Sequence, residues 1–417
     1  GCNLCVAVCP DGALVTVKQH EKTNERLRRA WAFWNQLPDT PDSFVNVRDY
    51  QKGIGVLQTL LLKKRNYGAM VGGDGACNGC GEKTAIHLIV AAVEASMQDR
   101  VGPFIERIDA LVGRLEEKVG GLLISNAEID AVGQDANVRL EVALDDRSRS
   151  RLSSLLGLVK ELKNLRWRYT SGPTGKGRAS LAMTNATGCS SVWASTYPYN
   201  PYPFPWVNHL FQDAPSIAIG IFEGQMRKMA DAFRAVRKAE LEAEDAYDPE
   251  IHDSFFTAFD WQEFTDEEFL LCPPIFAVGG DGAMLDIGFQ NLSRMLASGK
   301  PLRAIVLDTQ VYSNTGGQAC TAGFSGQVSD MATYGAAQHG KEEMRKELAL
   351  LAIAHRTSFV LQSSQASHSH LLSGVLRGLA SRRPAVFSIY TPCPSVHGIA
   401  DEGSAKAARL ALSHIHI

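Results

Sequence analysis

Four cysteines in three widely separated turns are the residues of this chain best suited to chemistry. Cys77 and Cys80 stand in DGACNGCGEK, Cys189 in NATGCSSVW and Cys393 in YTPCPSVHG. A Cys-x2-Cys pair can bind zinc, cycle as a redox pair or serve structure alone. No second pair stands at zinc-ribbon spacing, which weakens the zinc reading. Four thiolates from three loops also suit a 4Fe–4S cluster, and spacing alone leaves these alternatives open. Three more cysteines open the chain in GCNLCVAVCP, as Cys2-x2-Cys5-x3-Cys9-Pro10. That run matches the iron–sulfur pattern C-x2-C-x2-C-x3-C-P with one cysteine absent. Cys272 and Cys320 stand alone and are read as chemically silent.

A second group offers hard oxygen ligands. Asp281 lies in a GGDG turn, and Thr309 follows 28 residues later in VLDTQVYSNTGGQ. GGDG by itself fits an ordinary N-cap. If both turns end neighbouring parallel strands, a carboxylate, a hydroxyl and a backbone carbonyl can meet around Mg²⁺, which takes oxygen ligands and recruits phosphates for the rest. Gly280 and Gly282 would let the backbone approach a diphosphate, and the N-terminus of the following helix favours its charge.

The elements that must position these turns are legible in the C-terminal half. Pro274 to Val278 reads as a short apolar strand running into GGDG, and DIGFQNLSRMLASG as a helix closed by Gly299. LRAIVLDT, TSFVLQSS and PAVFSIYT read as strands. KEEMRKELALLAIAH and HLLSGVLRGLASR read as helices. This alternation predicts an α/β fold, a doubly wound parallel sheet with helices on both faces. Ligands of such sheets bind beyond the carboxyl ends of the strands. The turns at GGDG, DTQVYSNTGGQ and TPCPSVHG all follow strands. Earlier, Ile105, Ile108, Val112, Leu115 and Val119, then Leu152, Leu155, Val159 and Leu162, recur at helical spacing, which predicts a helical hairpin inserted at about 97–168. Residues 224–241 read as a third amphipathic helix. We expect residues 1–20 to be the end of an iron–sulfur module, 21–60 a connector and 61–417 the main domain.

Bulk composition narrows the class. The 417 residues are 45% hydrophobic and 21% charged, with net charge −3, an ordinary globular balance that gives no reason to expect nucleic acid or an anionic membrane as partner. No apolar run approaches the about eighteen residues of a membrane span. Nine cysteines are few for a disulfide scaffold of this length, which points to a reducing, cytoplasmic setting. Gly1 reads as a cut end, with the absent cysteine expected upstream of it.

The stretches GACNGCGEK, TNATGCSSVW, WVNHLFQD, GGDGAMLDIGFQNLSRMLASG, VLDTQVYSNTGGQ and the late TPC resemble the C-terminal part of the pyruvate:ferredoxin (flavodoxin) oxidoreductases, over about residues 70–400. GCNLCVAVCP resembles that family's ferredoxin module. The resemblance implies an enzyme of anaerobic metabolism that converts pyruvate and coenzyme A to acetyl-CoA and CO₂. It implies thiamine diphosphate in a thiamine diphosphate-binding sheet, Mg²⁺, 4Fe–4S clusters, electron transport to ferredoxin or flavodoxin, and a homodimer. By residue, it implies that Cys77, Cys80, Cys189 and Cys393 ligate the cluster nearest the thiamine. Cys2 and Cys5 would serve one ferredoxin-module cluster and Cys9 the other. Asp281, Thr309 and the Val311 carbonyl would hold Mg²⁺. Glu82, Cys189, the loop Gly280, Asp281, Gly282, Ala283 and the loop Thr309, Gln310, Val311, Tyr312, Ser313, Asn314 would contact the cofactor, with Asn314 as the catalytic residue. The chain departs from the family in the 108 residues between Cys80 and Cys189, and in a loop at 319–331 without the family's basic residues, where access of the thiol substrate is in question. Another 2-oxoacid as substrate, or a degenerate electron-transfer protein, are the alternatives; this chain does not distinguish ferredoxin from flavodoxin.

Overall fold

The apolar runs around Ile275, Arg303 and Ala385 form the centre of a six-stranded, wholly parallel sheet. The computed structural model describes residues 4–45, 56–125, 127–129, 140–142, 145–194, 202–330 and 339–414, so Cys2 lies outside the described residues. In chain order the strands are β1 (Ala182–Asn185), β2 (Trp206–Asn208), β3 (Ile275–Gly280), β4 (Arg303–Asp308), β5 (Phe359–Ser364) and β6 (Ala385–Tyr390). Their order in space is β2-β1-β3-β4-β6-β5. Helices cover both faces of the sheet. All six residues of β4 are buried, as are five of the six in β3 and in β6. Burial on both faces is why these strands read as continuous apolar runs rather than alternating ones.

Register sets the carboxyl ends side by side. Asn185 lies opposite Val278, Gly280 opposite Leu307, and Tyr390 opposite Asp308. Four consecutive strands of the sheet, β1, β3, β4 and β6, therefore end at one edge. Their following loops carry Cys189, Asp281, Thr309 and Cys393. At the opposite end, Arg303 is fully buried and donates to the carbonyls of Leu302, Arg383, Leu379 and Ser381 at 2.7–3.3 Å. It satisfies the orphan carbonyls at the end of the helix His368–Ala380, where the dipole favours a cation.

Two local expectations change. The pattern KEEMRKELALLAIAH becomes helix only over Leu348–Ala354. The segment before it is drawn away by distant partners: the Lys346 N–H donates to Thr321 O at 2.8 Å, its ammonium to Leu285 O at 2.6 Å, and Arg345 pairs with Asp308 at 3.1 Å. Helix propensity, a few tenths of a kcal/mol per residue, is outweighed by such contacts. The stretch expected to be a connector, 21–60, contains a 16-residue helix, Glu21–Gln36, which buries no residue. Lys64 donates to Trp34 O and Asn35 O at the end of that helix.

The chain forms two compact units. The one just described comprises residues 1–96, 179–222 and 273–417. The second comprises residues 97–178 and 223–272. Within it, Glu116 pairs with Lys163 and Asp109 with Arg166, so the two stretches run antiparallel, as a hairpin. Ile108, Leu115, Leu155 and Leu162 are buried in it, and the Phe104 ring stands 5.2 Å from Tyr169 and 6.0 Å from Phe233. No described helix is long and apolar enough to cross a membrane.

Candidate cofactor site

Asp281 ends the run from β3 and is buried. The Thr309 hydroxyl, from the loop after β4, donates to Asp281 Oδ1 at 3.4 Å and lies 3.0 Å from the Val311 carbonyl oxygen. Ser313 donates to the same Thr309 hydroxyl at 2.8 Å. The carboxylate, hydroxyl and carbonyl predicted to meet do so, because β3 and β4 are adjacent and in register. Burial, then the Asp308 carboxylate nearby, pushes the Asp281 carboxyl well above the usual carboxylate range. Its partners are the Thr309 hydroxyl, the Cys320 thiol and the Gly282 N–H, all uncharged, and the charges acting on it, Asp308 and Glu82, are like-signed. A buried carboxylate among oxygen donors, with its charge uncompensated, fits a divalent cation.

Around this group lies a cavity of ≈ 120 Å³, lined by Glu82, Cys189, Gln212, the 280–283 loop and residues 309 to 315 except Gln310. It falls below the roughly 300 Å³ of typical small-molecule sites, so it suits the diphosphate and cation end of a cofactor. A Cβ on Gly282 would overlap the Tyr312 ring, so Gly282 is needed for that packing, whereas the Cβ direction of Gly280 is open. Gln310 does not line the cavity; it stands in the turn that aims its neighbours.

The four predicted cluster cysteines line a second cavity, of ≈ 90 Å³, with Trp193, Pro392 and Pro394. Two glycines bring their loops together. A Cβ on Gly79, at φ +67°, would overlap the Asp401 carbonyl oxygen, and one on Gly81 would press on Pro392 O at 2.8 Å. The Cys77–Cys80 loop can therefore lie against the loop carrying Cys393 only with glycine at both positions. Burial, with the Glu82 charge next, pushes the Cys80 thiol up to about 12. Cys189 is pushed up by burial, then by Glu82, Cys393, Cys80 and Cys77, so the other three sulfurs all lie close to it. Thiols held high in a shared pocket fit a metal group, whose positive charge makes thiolates the stable form. Among the described residues no three His, Cys, Asp or Glu side chains converge on a single ion. Cluster ligands each meet a different iron and stand wider apart, and the candidate Mg²⁺ group has only one carboxylate.

Glu82, Cys189, Thr309, Ser313 and Asn314 line both cavities. Glu82 is buried in the first turn of the helix Gly81–Ser125, and burial raises its carboxyl to about 7 against the Trp193 indole N–H, which donates to it at 3.2 Å. Asn314 is exposed between the two-residue strands Val311–Tyr312 and Gln318–Ala319. At the N-terminus, Cys5 is exposed and Cys9 partly so. Backbone N–H groups, Ala13 first, lower the Cys9 thiol.

Sequence reasoning missed several residues. Cys320, read as silent, is buried and donates its thiol to Asp281 Oδ2 at 3.3 Å. Arg345 sits on Asp308, behind Asp281. The 319–330 loop lacks basic residues, yet the buried Lys341 donates to Gly323 O at 2.7 Å, bringing basic groups from downstream. Only the spacing of these basic residues after the loop hinted at them.

Residues 270–389 match the family described as thiamine pyrophosphate enzyme, C-terminal TPP binding domain. The chain is similar to the pyruvate:ferredoxin oxidoreductase of Moorella thermoacetica, 29% identical over 271 residues, covering 56% of this chain and 23% of that protein. It is similar to a probable pyruvate-flavodoxin oxidoreductase of Escherichia coli, 26% identical over 434 residues, covering 95% of this chain and 33% of that one. Pyruvate synthase subunit PorB of Methanocaldococcus jannaschii is 24% identical over 230 residues, 55% of this chain and 66% of that subunit. The chain thus spans a quarter to a third of the first two relatives. Residues 270–389 are similar to thiamine diphosphate-binding domains, in a chain related to the C-terminal part of the pyruvate:ferredoxin and pyruvate-flavodoxin oxidoreductases.

Proposed function

We propose that this chain is the thiamine- and cluster-bearing part of an enzyme that oxidises pyruvate with coenzyme A to acetyl-CoA and CO₂. Ferredoxin or flavodoxin receives the electrons, and the enzyme works in the cytoplasm as a homodimer. Residues 1–20 belong to a ferredoxin module, 21–60 connect it, and 61–417 form the thiamine domain with a helical insertion at about 97–168. The observation that carries the reading is the sharing of five residues between the oxygen-lined and the cysteine-lined cavity. A plain decarboxylase has no use for four thiols beside its cofactor.

Thiamine diphosphate supplies an electron sink for loss of CO₂, and a 4Fe–4S cluster beside it supplies an acceptor of single electrons. The chain's own residues do the holding. Asp281, Thr309 and the Val311 carbonyl would bind Mg²⁺, with Ser313 fixing the Thr309 hydroxyl. Backbone N–H groups of 281–283 would hold the diphosphate. Cys77, Cys80, Cys189 and Cys393 would hold the cluster, with the Lys83 N–H directed at Cys80 Sγ at 3.5 Å. Asn314 presents an amide to both cavities, and Glu82 holds a proton near neutral pH. The test is anaerobic reconstitution with iron and sulfide, followed by calorimetric titration with Mg²⁺ and thiamine diphosphate. Binding that needs Mg²⁺, together with four irons per chain at this site, supports the reading; absence of both sinks it.

A further inference from the structure

Gln310 stands at φ +64°. That left-handed conformation costs a non-glycine residue about 1 kcal/mol or more and persists only where surroundings hold it. The kink folds the chain so that the Thr309 hydroxyl and the Val311 carbonyl face one spot. Three side-chain bonds fix the turn. Asp308 Oδ1 accepts from the Gln310 N–H at 3.2 Å, and Gln327 Nε2 donates to Gln310 O at 3.0 Å. His397 Nε2 donates to Thr309 O at 3.0 Å.

The third bond differs from the other two because of where His397 comes from. It ends the one-turn helix Pro394–His397, just after Cys393. Its Nδ1 accepts from the Cys393 N–H at 3.3 Å, and its own N–H donates to Cys393 O at 2.9 Å. The partners set the tautomer: an amide N–H facing Nδ1 needs a lone pair there, and a carbonyl facing Nε2 needs a proton. Both ring nitrogens are used, one toward each loop.

We propose that His397 is a positioning residue that ties the strained Thr309–Val311 turn to the Cys393 backbone, so that filling of the diphosphate pocket and the setting of the Cys393 sulfur are coupled. The inference rests on the reading of these loops as cation and cluster sites. Release of Thr309 O would free the peptide between Thr309 and Gln310 to rotate, relax the left-handed residue and carry the Val311 carbonyl away from the Thr309 hydroxyl. Any such shift reaches Cys393 through the same ring, and coupling of this kind acts in both directions. Preorganised binding groups are held in place by supporting hydrogen bonds, and a rigid ring bonded at both ends does that.

The test uses the whole chain, reconstituted anaerobically, with two variants of matched polarity. His397→Asn can accept from the Cys393 N–H but cannot reach Thr309. His397→Gln extends an amide N–H toward Thr309 O but gives up the bond to Cys393. Mg²⁺ with thiamine diphosphate is titrated in by calorimetry, and the visible circular dichroism of the cluster is followed over the same additions. The wild-type chain is expected to bind and its cluster spectrum to change. Binding by His397→Asn should weaken about five-fold, the value of one hydrogen bond. His397→Gln should stay within about two-fold of wild type. The spectral change should vanish in both variants while iron content holds. Wild-type affinity in His397→Asn, equal losses in the two variants, or a spectral change that survives in both overturns the inference. So does a wild-type cluster indifferent to bound ligand. A wild-type chain that does not bind thiamine diphosphate overturns the site assignment instead, so the two failures are distinct.

Discussion

Replacing Asp281 by Asn keeps the side chain's shape and removes its charge, and the structure predicts two opposite effects. Asp281 is buried beside Asp308, and its carboxyl is raised well above the usual range. A carboxyl raised in the folded state contributes stability that is present below its unfolded pKa, about 4, and is lost as pH rises through the folded value. At neutral pH, holding it ionised without a cation costs about 1.4 kcal/mol for each unit of elevation. Asp308 is itself raised, from 3.8 to about 6, chiefly by burial and against the pull of Arg345. The Asp281 side chain steadies the Asp308 charge by a hydrogen bond, which the Asn amide can also donate. Cation-free Asp281→Asn should therefore be more stable than wild type, with a higher unfolding midpoint at neutral pH. Binding runs the other way. With ligand at about a hundred times its dissociation constant, the wild type gains about 2.7 kcal/mol. If loss of the charged ligand weakens binding a hundred-fold or more, the variant gains no more than about 0.4 kcal/mol. At roughly 2 °C per kcal/mol, the Mg²⁺ and thiamine diphosphate shift of about 5 °C should shrink to about 1 °C, while the unliganded midpoint rises. Differential scanning calorimetry of both proteins, with and without ligand, measures all four midpoints. A full ligand shift in the variant would remove Asp281 from the cation site. An unliganded variant no more stable than wild type would refute the account of a buried, uncompensated charge.

Three further outcomes are expected. Cys189→Ser and Cys393→Ser should each lose iron and the 4Fe–4S paramagnetic signal of this site after reconstitution; an unaltered signal in both would break the ligand set. Gly79→Ala, at φ +67° and against Asp401 O, should lower cluster incorporation and cost about 1–3 kcal/mol, and iron analysis with a melting curve showing neither would contradict the close approach of these loops. Arg303→Met removes the side-chain donor of Leu379 O and Ser381 O at the buried end of the helix His368–Ala380 and should cost about 2–4 kcal/mol by urea unfolding, with no direct effect on cofactor affinity; an unchanged midpoint would mean that water replaces the guanidinium.

The parallel sheet and the two groups of candidate ligands were legible in the sequence because their signals are local. A strand buried on both faces must be apolar throughout, and the turns after β3, β4 and β6 announce themselves by glycine, proline, aspartate and cysteine. Neighbouring strands of one sheet then bring Asp281 to Thr309 with little further information. Sequence could not say that Cys320 bonds Asp281, that Arg345 sits on Asp308, or that His397 bridges Thr309 and Cys393. Each of those pairs spans 37 to 88 residues and is set by how loops fold back over the sheet edge. The helix expected from Lys341 onward begins only at Leu348 for the same reason: its first two turns were given up to contacts with Thr321, Leu285 and Asp308. Glycine, too, was seen without its purpose. Gly79 and Gly81 are glycines because two loops meet there with no room for a Cβ, and only the packed chain contains that distance.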